Sequence, residues 1–431
     1  MEILPLLILV FSFVFFIAIG TPVAWSIAIS ALLTIITSLP GMAAVTTIAQ
    51  RMGTGLDSFA LLAIPFFILS GQLMTHGGIA DRLIGFAKTL VGALPGGLAL
   101  INIIAAMLMG AIAGSAMASA SAMGSILGPK MEKEGYSKEY GAAVNITSAT
   151  IGLVIPPSNV LIVYSLASGG VSIAALFLAG YIPGILTGLF LMIVAAIWAK
   201  RKGYKTAGNS SLKEIFKTFI LAFPSLLLLI IVIGGIVAGF FTATEASAIA
   251  VLYTLVLGFI YKEIKIKDLP HILLESSKTS AVVMLLIAAS MSMSWIMSYE
   301  NIPQNLSDLL LSISDNKIVI LLIINLLLLF VGIFMDMTPA VLIFTPIFLP
   351  VVTALGIDPI QFGIIMVLNL CIGLCTPPVG SVLFVGIGIA KTSIEKVIKP
   401  LLPLFFAMIL ALILITFFPQ ITLWLPEKFG F

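Results

Sequence analysis

Long apolar runs separated by short polar connections dominate the pattern of hydrophobic and polar positions along the chain. A helix that crosses a bilayer needs about 20 consecutive apolar residues. Runs of that order predict spans near 4–20, 22–38, 58–75, 98–113, 142–166, 175–199, 218–239, 242–260, 279–299, 318–335, 361–390 and 400–424. Two further segments, 114–128 and 337–355, are too short or too interrupted to cross alone, and we interpret them as half-helices or re-entrant arms.

Composition supports an all-α, polytopic membrane protein. Of the 431 residues, 61% are hydrophobic and only 9% are charged, whereas soluble domains have about 45–50% apolar and about 25% charged residues. The two cysteines, Cys371 and Cys375, lie in an apolar run and are too few for a metal site, so we interpret them as small core residues. The N-terminal segment lacks the basic region and cleavage site of a signal peptide, which predicts a retained span.

The chain repeats itself at a constant distance. The stretch IGLVIPPS at 151–158 nearly recurs as IGLCTPPV at 372–379, 221 positions later, and three weaker landmarks recur at about the same offset. Such internal repetition is typical of transporters built from two related halves. We therefore predict a first repeat over 1–210 and a second over 218–431, joined by the polar segment 200–217.

The distribution of lysine and arginine predicts that the two repeats are inverted. With the N-terminus outside, 18 of the 21 basic residues fall in connections that would be cytoplasmic, as the positive-inside rule requires. These connections are 78–95, 128–141, 199–218, 261–278 and 390–400. Equivalent connections of the two halves carry opposite bias, which a parallel repeat would not produce.

Each proline pair interrupts a long apolar run. A proline inside a helix removes one backbone hydrogen bond and frees the carbonyl four residues earlier, and lipid cannot satisfy the freed groups. Two matched interruptions therefore predict unwound segments that line a cavity, where carbonyls can bind a cation and half-helix N-termini can bind an anion. A pair of ordinary proline kinks is the structural alternative.

A second motif precedes each interruption. In the first half, AGSAMASASAMGS at 113–125 consists almost entirely of small residues, which predicts either a hairpin tip or close helix packing. In the second half, GIFMDMTPAV at 332–341 places Asp336 in a strongly apolar segment. A carboxylate within a membrane indicates a functional site, with a bound cation or the Thr338 hydroxyl as its partner. A helix-capping role is the alternative for this residue.

The remaining motifs favour structure over enzymatic chemistry. Asp57 and Glu245 lie at the starts of spans, where they fit a helix cap or a first turn. The predicted spans contain no embedded histidine, and the chain has no G-x-S-G stretch that would indicate a serine protease. A Walker A motif is also absent from the sequence. We therefore predict that the protein is not an enzyme.

Six stretches match a known family in the same order along the chain. They are LDSFALLAIPFFILSGQLM (56–74), GGIADRL (77–83), SATIGLVIPPSNVLIVY (148–164), LFLAGYIPGIL (176–186), FTATEASA (241–248) and, as the most specific, GIDPIQFGIIMVLNLCIGLCTPPVGSVLFV (356–385). In these stretches the sequence resembles the large membrane subunit of tripartite ATP-independent periplasmic (TRAP) transporters. The likeness covers nearly the whole chain.

The resemblance implies sodium-coupled uptake of an organic acid anion, such as a C4-dicarboxylate or sialic acid. It implies two protein partners, a small membrane subunit and a periplasmic substrate-binding protein, and a location in a bacterial or archaeal inner membrane. It also implies an elevator-type fold, in which a transport domain with two hairpins and two broken helices moves against a scaffold. Both domains would be interleaved across the two repeats.

The resemblance further assigns two sodium sites, each between a hairpin and the following break. The residues are Ser115, Ser119, Gly152, Ile155 and Pro156 for the first site, and Gly332, Asp336, Gly373, Thr376 and Val379 for the second. Family members often carry an acid at the position of Ser119, so its absence implies a weaker first site. Since no arginine is predicted in the core, the anionic substrate would have to be bound by helix N-termini and polar groups. We assign these to Ser158, Asn159, Thr338, Gly380 and Ser381.

Two other functions compete with this prediction. A carrier of the related dicarboxylate and citrate type would use the same ion-coupled chemistry without a binding protein. A non-transporting scaffold subunit would respond to neither ion nor substrate. A membrane-embedded enzyme has the least support from the residues.

Overall fold

The computed structural model describes residues 3–204, 206, 208, 211–314 and 316–431. Within that part of the chain the protein is built from helices and contains no strand. In chain order they are α1 Ile3–Ala18, α2 Val23–Ile35, α3 Gly41–Gly55, α4 Ala63–His76, α5 Ile79–Val91, α6 Gly97–Ala113, α7 Ala116–Lys133, α8 Lys138–Ile151, α9 Asn159–Ala167, α10 Ile173–Lys202, α11 Leu212–Val237, α12 Ala243–Ile260, α13 Leu269–Tyr299, α14 Ile302–Ile313, α15 Lys317–Phe334, α16 Met337–Ala354, α17 Pro359–Gly373, α18 Ser381–Ala390, α19 Ile394–Phe417 and α20 Gln420–Lys428. Short 3-10 helices at Phe59–Leu62 and Ile266–Asp268 precede α4 and α13. The predicted all-α fold is confirmed.

Eight helical segments of the described chain are long and apolar enough to cross a membrane. They are Phe59–His76, Ile173–Lys202, Leu212–Val237, Ala243–Ile260, Ile266–Tyr299, Lys317–Phe334, Met337–Ala354 and Ile394–Phe417. The sequence pattern assigned 337–355 to a re-entrant arm, whereas this helix has the length of a full span. The re-entrant course of the hairpins stays a prediction. The predicted linker 200–217 includes positions 205, 207, 209 and 210, which lie outside the described residues.

Both predicted interruptions are present in the structure. The run predicted at 142–166 forms α8 and α9 with residues 152–158 between them, and the run at 361–390 forms α17 and α18 with 374–380 between them. Each connection contains a cis peptide bond within its proline pair, at Pro156–Pro157 and Pro377–Pro378. The prolines therefore end a helix rather than merely kink it.

The helix boundaries repeat along the chain at the offset seen in the sequence. Boundaries 221 residues apart are Ala113 and Phe334 at the ends of α6 and α15, Ala116 and Met337 at the starts of α7 and α16, Lys133 and Ala354 at their ends, and Ile173 and Ile394 at the starts of α10 and α19. Each half thus has a helical hairpin (α6–α7 or α15–α16), a broken helix (α8–α9 or α17–α18) and a long helix after it.

The broken helices of the two halves meet at the centre of the protein. The Cys371 Sγ donates a hydrogen bond to the carbonyl oxygen of Thr150 at 3.0 Å, and these two positions are themselves 221 residues apart. The Thr150 Oγ1 also lies 3.4 Å from the Cys375 Sγ. Both cysteines are buried and free, as predicted for core residues. Equivalent residues that touch lie close to an axis relating the halves; the opposite orientation of the halves stays a prediction.

Each hairpin also packs against the broken helix of the other half. Helix α9 of the first half packs against α16 of the second, and α18 of the second half packs against α7 of the first. Within each half the hairpin also packs on its own broken helix. The two halves therefore share one core.

Four helices were missed in the sequence analysis, namely α3, α5, α14 and α20. Helix α5 shows the reason. Asp81, Arg82 and Lys88 make one side of this helix polar, so a search for long apolar runs does not find it. Several predicted helix boundaries also differ from those in the structure. Helix α13 begins at Leu269 instead of 279, and the last predicted span ends at Phe417, after which Pro419 precedes α20.

Candidate functional site

The tip of the first hairpin is a tight turn between α6 and α7. Gly114 ends α6 with a φ of 61°, a left-handed conformation that glycine adopts without a side-chain penalty. Ser115 then caps α7, and its Oγ accepts a hydrogen bond from the N–H of Ala118 at 3.3 Å. The hydroxyl of Ser119 points back into the hairpin and donates to the carbonyl of Ala106 at 2.8 Å. Ser115 therefore lies at the tip, whereas Ser119 fastens the two arms together.

The tip of the second hairpin places an acid where the first has a serine. Asp336 is 221 residues after Ser115 and occupies the same N-cap position, at the start of α16. Its carboxylate makes no capping hydrogen bond from its side chain to α16. A helix-capping role stays an open alternative for Asp336, since it occupies the N-cap position and its carboxylate interacts with the Met337 N–H. The Glu245 carboxylate forms a capping box with Thr242, with an N···O distance of 2.8 Å, and its predicted structural role is confirmed.

Both hairpins approach the breaks through glycine. A β-carbon on Gly152 would lie 2.5 Å from the Cα of Gly110, and one on Gly373 would lie 2.6 Å from the Cα of Gly332. Real β-carbons do not come so close to backbone atoms, so only glycine permits these contacts. The structure thus brings Gly332 and Gly373 together as predicted, and it gives Gly152 a partner, Gly110, that the sequence analysis did not assign.

A hydroxyl group donates to a backbone carbonyl in each of the two breaks. The Ser158 Oγ donates to the carbonyl of Leu153 at 2.5 Å, and the Thr376 Oγ1 donates to that of Ile372 at 2.7 Å. Ile155 and Pro156 are buried beside Gly184 and Gly180 of α10, respectively. These interactions hold each unwound segment in one shape.

The second break closes more tightly on itself. The N–H of Gly380 donates to the carbonyl of Thr376 at 3.1 Å, and that of Leu383 donates to Leu374 at 3.3 Å. Gly380 leaves no room for a side chain, since a β-carbon there would lie 2.4 Å from the Leu374 oxygen. Val379, by contrast, is 40% exposed.

Two polar atoms near the breaks are buried without a hydrogen-bond partner. They are the Asn159 Oδ1, in the first turn of α9, and the Ser381 Oγ, in the first turn of α18. The Asn159 side chain lies against the first hairpin tip, because a β-carbon on Gly114 would be 2.6 Å from the Asn159 Nδ2. Unpartnered buried polar atoms are costly, so these two positions are suited to meet a ligand, the Asn159 Oδ1 as an acceptor and the Ser381 Oγ as a donor or an acceptor.

A central cavity of about 210 Å³ connects these parts. Residues from both hairpin tips, both breaks, α4 and α13 line it. Of the predicted site residues, it brings together Ser115, Asn159, Asp336 and Thr338. Asp336 is the one charged residue among the described lining residues. The other predicted residues pack behind the lining or lie within the breaks.

One wall of the central cavity was missed in the sequence analysis. Gln72 and Thr75 of α4 and Thr279 of α13 contribute polar groups to it. The signal for Gln72 was an amide inside a predicted span, which is unusual in an apolar segment. Thr279 gave no such signal, because threonine can bond to a carbonyl of its own helix, as it does here with Glu275 at 3.0 Å.

Comparison with known proteins gives this arrangement a family. Residues 10–421 match the family described as "Tripartite ATP-independent periplasmic transporter, DctM component". The chain belongs to this family. The family resemblance predicted from the sequence is confirmed.

The chain is similar to several large permease proteins of this family over nearly its full length. It is 41% identical to the "Sialic acid TRAP transporter large permease protein SiaM" of Vibrio cholerae, covering 95% of this chain and 96% of the relative. It is 37% identical to the "2,3-diketo-L-gulonate TRAP transporter large permease protein YiaN" of Escherichia coli, covering 96% of each. It is 57% identical to the "Uncharacterized protein YgiK" of Salmonella typhimurium, covering 99% of this chain and 98% of that protein.

A solved structure shares the fold. The chain matches the Alcanivorax borkumensis YdaH transporter with a TM-score of 0.66, over 88% of this chain and 89% of the other. The sequence identity between the two is 14%, so the likeness concerns the fold alone. The named TRAP relatives are transporter permeases, which is the class that the sequence analysis expected.

Proposed function

We propose that the protein takes up an organic acid anion across the bacterial inner membrane and that a sodium gradient drives this uptake. The observation that carries the proposal is the central cavity, where both hairpin tips and both breaks meet around a single carboxylate. The proposed substrate follows the relatives, whose names specify sialic acid, C4-dicarboxylates and 2,3-diketo-L-gulonate.

Asp336 is the centre of the proposed ion binding. A carboxylate in apolar surroundings is costly without a compensating charge, and the described residues lining the cavity include no lysine or arginine. A sodium ion beside Asp336 would supply that charge. The second ion site would use Asp336 with Gly332, Gly373, Thr376 and Val379. The first would use the equivalent positions around Ser115 and Gly152, including Ser119, Ile155 and Pro156.

The anion would bind where two half-helices begin. Asn159 and Ser381 lie in the first turns of α9 and α18, and helix N-termini carry a partial positive charge. Ser158, Thr338 and Gly380 would complete the contacts. Because an anion would be repelled by a bare Asp336, sodium has to bind before the substrate.

The proposed cycle involves two partners and a moving domain. A periplasmic binding protein would deliver the substrate, and a small membrane subunit would complete the permease. The hairpins and broken helices would move together against the remaining helices, with the halves inverted and the N-terminus outside. The constant 221-residue offset and the contact between Thr150 and Cys371 support the division of the chain into two related halves.

The ion-binding part is tested by thermal unfolding of the detergent-purified protein in sodium or potassium at constant ionic strength. A ligand of the folded state stabilises it by about 2.7 kcal/mol at a hundredfold excess over Kd. We expect a sodium-specific rise in Tm that Asp336→Asn reduces strongly. Asp57→Asn is the matched control, since it removes an acid outside the lining of the central cavity. Equal responses to sodium and potassium would reject sodium coupling.

The transport part is tested in proteoliposomes that contain the permease and its small subunit. Labelled sialic acid and succinate are supplied with and without the binding protein, under an inward sodium gradient. We expect uptake only with the binding protein and the gradient. Uptake without the binding protein would instead identify a carrier of the dicarboxylate and citrate type.

The part of Asn159 in substrate binding is tested in the same proteoliposomes. Replacing Asn159 by alanine should weaken uptake, and unchanged uptake would remove Asn159 from the substrate site.

A further inference from the structure

A second cavity lies apart from the central one and has no part in the function proposed above. It measures about 260 Å³ and is enclosed by α6, α7, α8 and α18. It shares no lining residue with the central cavity. It lies where α7 ends and α8 begins, at the far end of the first hairpin from its tip.

Two asparagines that line this outer cavity have side-chain oxygens that are buried without a hydrogen-bond partner. They are the Oδ1 atoms of Asn102 and Asn145, whose side chains are 1% and 3% exposed. The orientation of Asn145 is determined by its Nδ2, which donates to the carbonyl of Ala120 at 2.7 Å. Its oxygen is therefore the atom left without a partner. Two unsatisfied acceptors in one cavity point to a ligand with positive charge or hydrogen-bond donors.

The second half shows that the fold does not require this cavity to be polar. The residues 221 positions after Asn102 and Asn145 are Ile323 and Met366. Met366 is fully buried, and its sulfur lies 3.3 Å from the Thr345 Oγ1. Thr345 is the residue 221 positions after Gly124. One half thus fills this place with side chains, whereas the other lines it with amides and a glycine.

The charges around the outer cavity favour a small cation. The C-terminal turns of α7 and α18 form part of its wall, and helix C-termini carry partial negative charge. The N-terminus of α8 opposes this in part. Glu132 and Lys138 pair at the cavity at 3.5 Å, so its side chains bring no net charge. An uncharged set of oxygen ligands suits a monovalent cation better than a divalent one.

We propose that the outer cavity is a binding site for a small monovalent cation, held by the amide oxygens of Asn102 and Asn145. The ion would connect α6 with α8 and so stabilise the first hairpin against the first broken helix. This site is independent of the proposed ions at Asp336.

The test uses the full-length protein with Asp336→Asn, which removes the central carboxylate. Its thermal unfolding is measured with sodium, potassium or ammonium chloride against choline chloride at equal ionic strength. We expect at least one of the three small cations to raise Tm in a saturable way. Adding Asn102→Ile, the residue that the second half uses, should remove the part of the rise that comes from the outer cavity and leave only the sodium response of the proposed site at Ser115 and Gly152. Adding Ser290→Ala should not, although it removes another buried, unpartnered oxygen that lies in neither cavity.

A second variant keeps the test decisive if Asn102→Ile does not fold. Asn102→Asp adds a negative ligand and should tighten binding of the same cation about tenfold or more, because affinity rises with ligand charge. The proposal is overturned if the Asp336→Asn protein responds to none of the cations, since the cavity then holds water only. It is also overturned if neither Asn102 variant changes the response.

Discussion

The two hairpin tips have the same shape and different chemistry. Ser115 and Asp336 occupy equivalent N-cap positions, 221 residues apart, and both line the central cavity. The Ser115 oxygen caps its own helix, whereas the Asp336 side chain makes no equivalent bond and is part of the lining of the central cavity. At the end of the hairpin far from the tip, it is the first half that has the polar side chains. It has Asn102 and Asn145 where the second half has Ile323 and Met366. The two halves thus have equivalent backbone positions, and the side chains at these positions differ between the halves.

The largest expected effect concerns the backbone contact that both halves share. Gly152→Ala or Gly373→Ala would place a methyl group within 2.6 Å of backbone atoms in the opposing hairpin. We expect each to destabilise the protein by about 3 kcal/mol or to prevent folding, because backbone cannot move aside as a flexible side chain can. Gly388→Ala in α18, where nothing lies within 4 Å of the added carbon, is the control. Thermal unfolding measures the difference, and equal Tm values would contradict the close approach.

A charge exchange between the tips tests whether the acid has to be in the second half. Asp336→Ser alone should weaken sodium binding by tenfold or more, which corresponds to about 1.4 kcal/mol. Adding Ser115→Asp returns a carboxylate to the same cavity from the other side. Sodium titration by thermal unfolding then gives one of two results. Recovery would show that the two tips are interchangeable, and no recovery would show that only the second break can complete an ion site.

The hydroxyl groups within the breaks should contribute to stability. Ser158→Ala removes the bond to the Leu153 carbonyl in a buried segment. We expect a loss of about 1–3 kcal/mol, the range for a buried polar group left unpaired. Ser168→Ala is a suitable control, since its hydroxyl lies at the end of α9 and is only partly buried. Chemical denaturation that gives the same midpoint for both variants would show that the break does not need this bond.

The smallest expected effect is the difference in stability between alanine variants of the two N-cap residues, Ser115 and Asp336. Ser115→Ala should cost about 1 kcal/mol, the usual effect of losing an N-cap. Asp336→Ala should cost less than this in sodium-free buffer, because its side chain makes no bond equivalent to that of Ser115. Unfolding in choline chloride compares the two without a sodium contribution. A larger loss for Asp336→Ala would favour the helix-capping role for this residue.

Local chemistry made several features predictable from the sequence. The apolar runs predicted the membrane class, and the proline pairs predicted the two breaks, because a proline disrupts its own helix wherever the helix is packed. The 221-residue offset predicted that the halves have equivalent elements, and the helix boundaries follow it. Asp336 was found because a carboxylate in an apolar run is rare.

Other features depend on contacts between residues far apart in sequence, and only the tertiary structure decided them. The packing of each hairpin against the broken helix of the other half determines which residues line the central cavity. Thr279 and Gln72 line it, whereas the Ser119 hydroxyl donates to the carbonyl of Ala106. The glycine contact between Gly110 and Gly152 and the unpartnered oxygens of Asn102 and Asn145 likewise arise from packing. A sequence specifies what each segment does to its own backbone, whereas the partner of a side chain is set by which helices meet.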